Sequence, residues 1–115
     1  AALGCAQLEN LDRYIADKRQ TAAAYAEFFQ HVEDIDFFME PENCFSNYWL
    51  NVALLQVKVS QQRFLQETND NGVMTRPIWE LMNRLPMFEL CEHDELDNTI
   101  YFADRVVNIP SSVRL

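Results

Sequence analysis

What this sequence lacks excludes several classes of protein before any residue is given a role. No apolar run approaches the ~20 residues that a membrane-crossing helix needs, and no basic-then-apolar leader opens the chain. A soluble, cytoplasmic protein without a membrane partner is expected. Basic charge is scarce: 9 Lys and Arg stand against 18 Asp and Glu, for a formal charge of -9. Nucleic-acid binders need clustered cations to displace counterions from phosphates, so no nucleic-acid partner is expected. The three cysteines, Cys5, Cys44 and Cys91, are odd in number and far apart, with no Cys-x-x-Cys pair for zinc or disulfide exchange. Reduced, buried thiols are the expectation. No acidic pair has the spacing of a helical metal site, and no metal is expected. Internal repeats and low-complexity linkers are absent as well.

What is present suits one packed core: 115 residues, 49% of them apolar and 12% aromatic. Leu8, Leu11, Ile15, Lys18, Ala22, Tyr25 and Phe29 recur in steps of three and four, the period of a helix. The pattern predicts one helix from about Leu3 to Gln30, roughly 40 Å long at ~1.5 Å per residue. That exceeds a compact domain of this size, so part of the helix should pack on something else. The opening residues Ala1-Ala2-Leu3-Gly4, with no initiator methionine, read as a cut through a longer protein.

Further on, Ile35 to Met39 suits a short strand, stopped by Pro41. Asn47 to Val57 is the strongest strand, apolar on both faces and so expected to be covered on both. Ser60 is placed to cap a helix from Gln61 to Asn69, and Gly72 to close it in the left-handed region. Val73 to Arg76 has strand character, and Pro77 must end that strand or put it at an edge. Strand, helix, strand would make a right-handed crossover if the two strands are parallel neighbours. Ile78 to Arg84 allows two helical turns, terminated by Pro86. Asp94 is placed to cap a helix from Glu95 to Asp104 with Leu96, Ile100 and Ala103 inward, and Val106 to Ile109 is a last strand. The sum is an α+β domain: a long N-terminal helix, a three- or four-stranded sheet, and helices on one side of it.

Chemistry is sparse. His31 falls at a helix end, where a solvated capping role suits it. Cys91-Glu92-His93-Asp94 has the composition of a nucleophile or metal cluster, but sequence neighbours seldom share a site geometry. Lys18 lies on a helix seam and Lys58 in a strand's tail, and neither has the desolvated setting of a reactive amine. Arg76 stands out: a guanidinium at a strand end, followed by Pro77 and flanked by Trp79, offers a forked donor beside an aromatic face. An ordinary pairing with Glu80, or stacking on Trp79, explains the same residues. Trp79 is equally open between core and site wall.

The run Gly72-Val73-Met74-Thr75-Arg76-Pro77-Ile78-Trp79-Glu80-Leu81-Met82-Asn83 resembles the pyridoxal-phosphate-dependent nucleotide-sugar aminotransferases of the DegT/StrS type, of fold type I. Within them it is most similar to the branch acting on UDP-linked keto sugars on the way to legionaminic-type acids. Ala2 to Glu9 is similar to that family's long helix, Asn47 to Asn51 to its central small-domain strand, and Val107 to Ser112 to its closing strand. The resemblance implies that the whole chain, 1–115, is a C-terminal small domain. The Schiff-base lysine and the other pyridoxal-phosphate ligands would lie upstream, so the chain alone would bind no cofactor and be inert. It implies Arg76, Trp79 and Asn83 as substrate-binding residues, and no catalytic residue here. For the intact protein it implies a homodimer that moves an amino group from an amino acid, glutamate by expectation, to a nucleotide-linked keto sugar in surface-polysaccharide or nonulosonic-acid biosynthesis. The alternative, from composition alone, is a stand-alone acidic protein-interaction module, monomeric and without a large exposed apolar patch.

Overall fold

The computed structural model describes residues 1–56 and 59–114. Its elements run α1 (Ala2–Leu8), α2 (Leu11–Phe29), β1 (Ile35–Phe37), β2 (Asn51–Leu55), α3 (Gln61–Asp70), β3 (Arg76–Pro77), a single 3-10 turn (Met82–Arg84), α4 (Asp97–Ala103) and β4 (Val106–Ile109).

The expected single helix is two. Asn10 breaks it, at φ -105° and ψ 3°. Its side-chain amide donates to the Ala6 carbonyl at 2.9 Å, while its own carbonyl accepts from Tyr14 N at 3.0 Å. A short polar side chain competing for backbone partners in this way ends one helix and starts the next. The 19 residues of α2 span about 28 Å at ~1.5 Å per residue. α1 buries no residue, and Leu3, Leu8 and Leu11 are exposed. The radius of gyration, 16.8 Å, accordingly exceeds the ~13 Å of a compact chain of this length.

The sheet has the order β1-β2-β4-β3, and every neighbouring pair is antiparallel. β2 and β3 therefore run the same way but are separated by β4, so the expected crossover between parallel neighbours is replaced by one that leaves room for β4. β3 is an edge strand, where Pro77 costs no ladder donor. One face is closed: Ala53, Leu55, Val107 and Ile109 form the core, with Tyr25 and Phe29 of α2, Phe37 of β1, and Phe64 and Leu65 of α3 packed on it. Phe29 and Phe37 stack at 6.2 Å.

The other face is open. Along β2, burial alternates strictly, with Val52 and Leu54 only half-buried. The expectation of a strand covered on both sides is thus corrected, because α2 and α3 lie on the same side. The strand is also shorter than expected: Asn47, Tyr48 and Trp49 precede it in a loop, while Val57, its expected end, and Lys58 lie outside the described residues.

Smaller elements show where local signals held and where they did not. Ser60 caps α3, its hydroxyl accepting from Arg63 N at 3.4 Å, and Gly72 adopts φ 79° just beyond it. Ile78 to Arg84 is not two helical turns, since Leu81 is extended and only Met82–Arg84 turns. α4 starts two residues later than expected, because Asp94 accepts from Leu96 N at 3.2 Å in a local turn and Leu96 takes φ 55°. All three cysteines are exposed, contrary to the expectation of buried thiols. Their flanks show why: Cys5 lies on α1, which packs on nothing here, and Cys44 and Cys91 lie in loops.

Candidate functional site

Arg76 is positioned from the residue before it. Thr75 is 4% exposed. Its hydroxyl bonds to Thr68 and receives the Asn69 amide at 3.0 Å, and its carbonyl also accepts from Asn69, at 3.1 Å. With Thr75 anchored to α3, strand alternation turns Arg76 to the opposite side. Register places it beside Asn108, which in turn pairs with Val52. Arg76 thus belongs to the open face. It is exposed, and Nη2 meets Met74 Sδ at 3.7 Å. Among the described residues it has no carboxylate partner: Glu80, the expected candidate, pairs with Arg84 at 3.7 Å. Asn108 fixes the turn beyond β3 by donating from Nδ2 to the Pro77 carbonyl at 3.2 Å.

Trp79 follows that turn and is 67% exposed, so it is not a core residue. Its ring lies 6.4 Å from that of Trp49, which is 66% exposed. An indole buries up to ~250 Å² when packed, so at ~25 cal/mol per Å² each ring forgoes about 4 kcal/mol of burial here.

The loop that carries Trp49 is held firmly. The Arg19 guanidinium grips both oxygens of Glu40, at 2.6 and 2.9 Å, and the Ser46 carbonyl at 2.6 Å, while the Phe45 ring covers it at 4.2 Å. The hydrogen bonds from Arg19, followed by that from the Ser46 amide, lower the Glu40 carboxyl from its ordinary 4.5 to about 2. Tyr48 is buried, at φ 46°, with its hydroxyl accepting from Glu40 N at 3.1 Å and its amide donating to Ser46 Oγ at 3.0 Å. The Trp49 amide donates to Asn47 Oδ1 at 3.0 Å, and its carbonyl accepts from Ser111 Oγ at 2.7 Å. A bulky residue held left-handed is strained, and the bonds around it keep it there.

Two concavities lie next to Trp79 and the sheet face that carries Arg76. One, of about 500 Å³, is lined by Trp79, Asn83, Phe88, Cys91, His93 and Leu96. The other, about 310 Å³, is wholly apolar and lies on the open face between Phe38, Val52, Leu54, Ile78, Phe102 and Val106. The structure therefore brings Trp79 and Asn83 to one cavity and leaves Arg76 outside it, on the sheet. Trp49 and Asn108 escaped the sequence reading. Asn47, placed to bond the amide two residues on, was the signal that Trp49 sits in a turn rather than a strand.

The described residues contain no cluster of three or more His, Cys, Asp or Glu able to hold a metal ion. His93 Nδ1 is spent on the Asp94 carbonyl at 2.6 Å. No helix of the described residues is long and apolar enough to cross a membrane. The exposed leucines of α1 and the exposed tryptophans also run against a self-contained acidic interaction module.

Comparison with known proteins agrees along the whole chain. The model of the DegT/DnrJ/EryC1/StrS aminotransferase family matches residues 1–115. GDP-perosamine synthase of Vibrio cholerae is 29% identical over 114 residues, covering 96% of this chain and 31% of that protein. A putative pyridoxal phosphate-dependent aminotransferase of Bacillus subtilis, EpsN, is 28% identical over 89 residues, covering 77% of this chain and 23% of that protein. Among solved structures, DesI in the presence of its TDP-sugar product superimposes with a TM-score of 0.87 at 19% identity, covering 95% of this chain and 29% of that one. The chain thus spans under a third of the length of each of these proteins, and its fold is that of the small domain of fold-type I aminotransferases.

Proposed function

This chain belongs to the DegT/DnrJ/EryC1/StrS aminotransferase family, and on that premise we propose that it is the C-terminal small domain of a pyridoxal-phosphate-dependent nucleotide-sugar aminotransferase. The observation that carries the reading is the family match along all of residues 1–115 by a chain that spans about 31% of the GDP-perosamine synthase of Vibrio cholerae.

The intact enzyme would take nitrogen from an amino acid, glutamate, and deliver it to a nucleotide-linked keto sugar for surface polysaccharide or nonulosonic acids. It would work in the cytoplasm as a homodimer. α1, which buries no residue here, would pack on the cofactor domain.

Among the described residues the candidate site offers the cofactor no lysine, and Lys58 lies outside them. Lys18 projects from α2 and donates to the Ser111 carbonyl, and neither of the two concavities near Arg76 is lined by a lysine. On this reading pyridoxal phosphate would be held by residues outside this chain, and no step of its chemistry is routed through residues 1–115. What these residues would do is bind and orient. Arg76 would offer a forked donor to an anionic part of the substrate, Trp79 would form an apolar wall, and Asn83 a polar contact in the adjoining cavity. Closure of the open sheet face over the substrate would exclude water from the reacting centre.

The test is to express the whole reading frame that contains this chain and titrate it with pyridoxal phosphate, reading the visible absorbance of the bound cofactor. Stoichiometric binding, with amination of a UDP-linked keto sugar at the expense of glutamate, is expected. A full-length protein that binds no cofactor would overturn the proposal.

A further inference from the structure

We propose that Asn71, which precedes Gly72, is a deamidation site, and that its conversion loosens the hold of α3 on the strand that carries Arg76. The modification needs only water and stands whatever the intact protein catalyses.

Asn71 is the only asparagine in the sequence followed by glycine. Asparagine is among the chemically labile residues. Its deamidation begins when the backbone nitrogen of the next residue attacks the side-chain carbonyl carbon, so a bulky next residue obstructs it and glycine does not. The setting is open as well. Asn71 and Gly72 are exposed, and no atom lies within 4 Å of the position a Gly72 Cβ would take. Asn69, two residues earlier, is followed by Asp70, and its amide is tied to the Leu65 and Thr75 carbonyls at 2.7 and 3.1 Å.

The bond changes balance without any oxidation. Gly72 N bonds to Asn71 Cγ, the Cγ–Nδ2 bond breaks, and ammonia leaves with the proton of the attacking amide. Water then opens the resulting succinimide on either side. Cleavage of the new bond gives aspartate, whereas cleavage of the original peptide bond gives isoaspartate, with the main chain running through the former side chain. The net change is one water taken up and one ammonia released.

In the folded chain both reacting groups are engaged. Asn71 Nδ2 donates to the Glu67 carbonyl at 2.8 Å, and Gly72 N donates to the Asn69 carbonyl at 3.0 Å. Attack therefore starts from an opened last turn of α3, and exposed helix ends open most readily.

The same bonds set the consequence. A carboxylate cannot donate to the Glu67 carbonyl, and it puts charge at the negative end of the helix dipole, beside Asp70 and one turn from Glu67. Isoaspartate also lengthens the backbone between Asn69 and Thr75. Those two residues fasten β3 to α3, the Asn69 side chain meeting the Thr75 amide at 3.4 Å and its hydroxyl at 3.0 Å. β3 has two residues and pairs with β4 alone, so this fastening is a large part of what holds Arg76, the next residue, in place.

The test is to age the full-length protein that contains this chain at mildly alkaline pH, both folded and unfolded in guanidinium chloride, and to follow each asparagine by peptide mapping with mass spectrometry. Asn71 should convert ahead of the other asparagines of residues 1–115, to a mixture of aspartate and isoaspartate. Conversion should be about 5- to 150-fold slower in the folded sample, the equilibrium cost of releasing two hydrogen bonds. Asn71→Gln should abolish the early product, since its longer side chain closes a ring far more slowly. Asn71→Asp, which carries the charge of the product, should speed hydrogen exchange at the Thr75 amide and leave exchange in β2 at the parental rate. Circular dichroism establishes that each variant is folded.

Conversion of another asparagine of this chain ahead of Asn71 in the folded protein, or equal rates in the folded and unfolded samples, would overturn the site as described. Unchanged Thr75 exchange in both Asn71→Asp and the aged protein would overturn its effect on β3.

Discussion

Leu54 and Leu55 are consecutive in β2, and the fold predicts that truncating them has very different consequences. Leu55 is fully buried on the closed face, between the strands beside it and the aromatic groups of α2, whereas Leu54 is half-buried on the open face. Leu55→Ala leaves a cavity walled by a sheet on one side and packed helices on the other, which cannot collapse far. The expected loss is about 3–4 kcal/mol, within the range seen for core leucines. Against the ~5–15 kcal/mol of a typical domain this is a large fraction, and it lowers the melting temperature by roughly 12–16 °C at about 4 °C per kcal/mol. Leu54→Ala removes a side chain already in partial contact with water, so about 1 kcal/mol is expected. Thermal and urea unfolding of the two variants, followed by circular dichroism, makes the comparison. Equal losses would mean that the second face is covered as well, and the open face on which the functional reading depends would be gone.

Three further predictions concern single groups. Because Arg19 and the Ser46 amide hold the Glu40 carboxyl near 2 rather than 4.5, the stability it contributes is complete above about 4.5 and is lost as pH falls through about 2. Melting curves between pH 7 and pH 2 should therefore show a decline that Glu40→Gln lacks, and identical pH dependence in both proteins would refute the electrostatic role of the Arg19–Glu40 pair. All three thiols should react promptly with an aromatic disulfide reagent without denaturant, since Cys5, Cys44 and Cys91 are exposed; a slow thiol would show that one is buried. Gly72→Ala meets no atom within 4 Å, but φ there is 79°, so the strain of a Cβ in the left-handed region should cost about 1–2 kcal/mol. An unfolding midpoint equal to that of the parent would show that this turn relaxes.

Much of the fold was legible because its signals are local. The 3.6-residue period of Leu11 to Phe29, the Ser60 cap, the left-handed Gly72 and the strand Val106–Ile109 each depend on a few neighbouring residues, and each is found where the sequence puts it. What was misread depends on partners distant in the chain. Asn10 falls between Leu8 and Leu11 without interrupting the apolar pattern on paper, but it takes the Ala6 carbonyl for its own side chain. Val52 and Leu54 look like the second face of a covered strand, and only the placement of α2 and α3 on one side leaves them half-open. The same holds for the candidate site. Arg76 was readable from its composition and setting, whereas its row with Asn108 and the approach of Trp49 to Trp79 are set by strand register across β4. The strained Tyr48 loop was overlooked despite Asn47, because aromatic residues beside a strand read as more strand.

The central proposal is that this domain would supply a substrate wall to an aminotransferase, with Arg76 contacting the anionic part of the substrate. Steady-state kinetics of Arg76→Ala in the full-length enzyme, with the keto-sugar nucleotide varied and the melting temperature measured in parallel, tests it most directly. The account predicts that kcat/KM for the sugar nucleotide falls by at least about tenfold, the ~1.5–3 kcal/mol of a charge-assisted hydrogen bond, while the melting temperature stays within a degree or two because Arg76 is exposed. A variant with parental kinetics, or one that loses stability and activity in proportion, would contradict it.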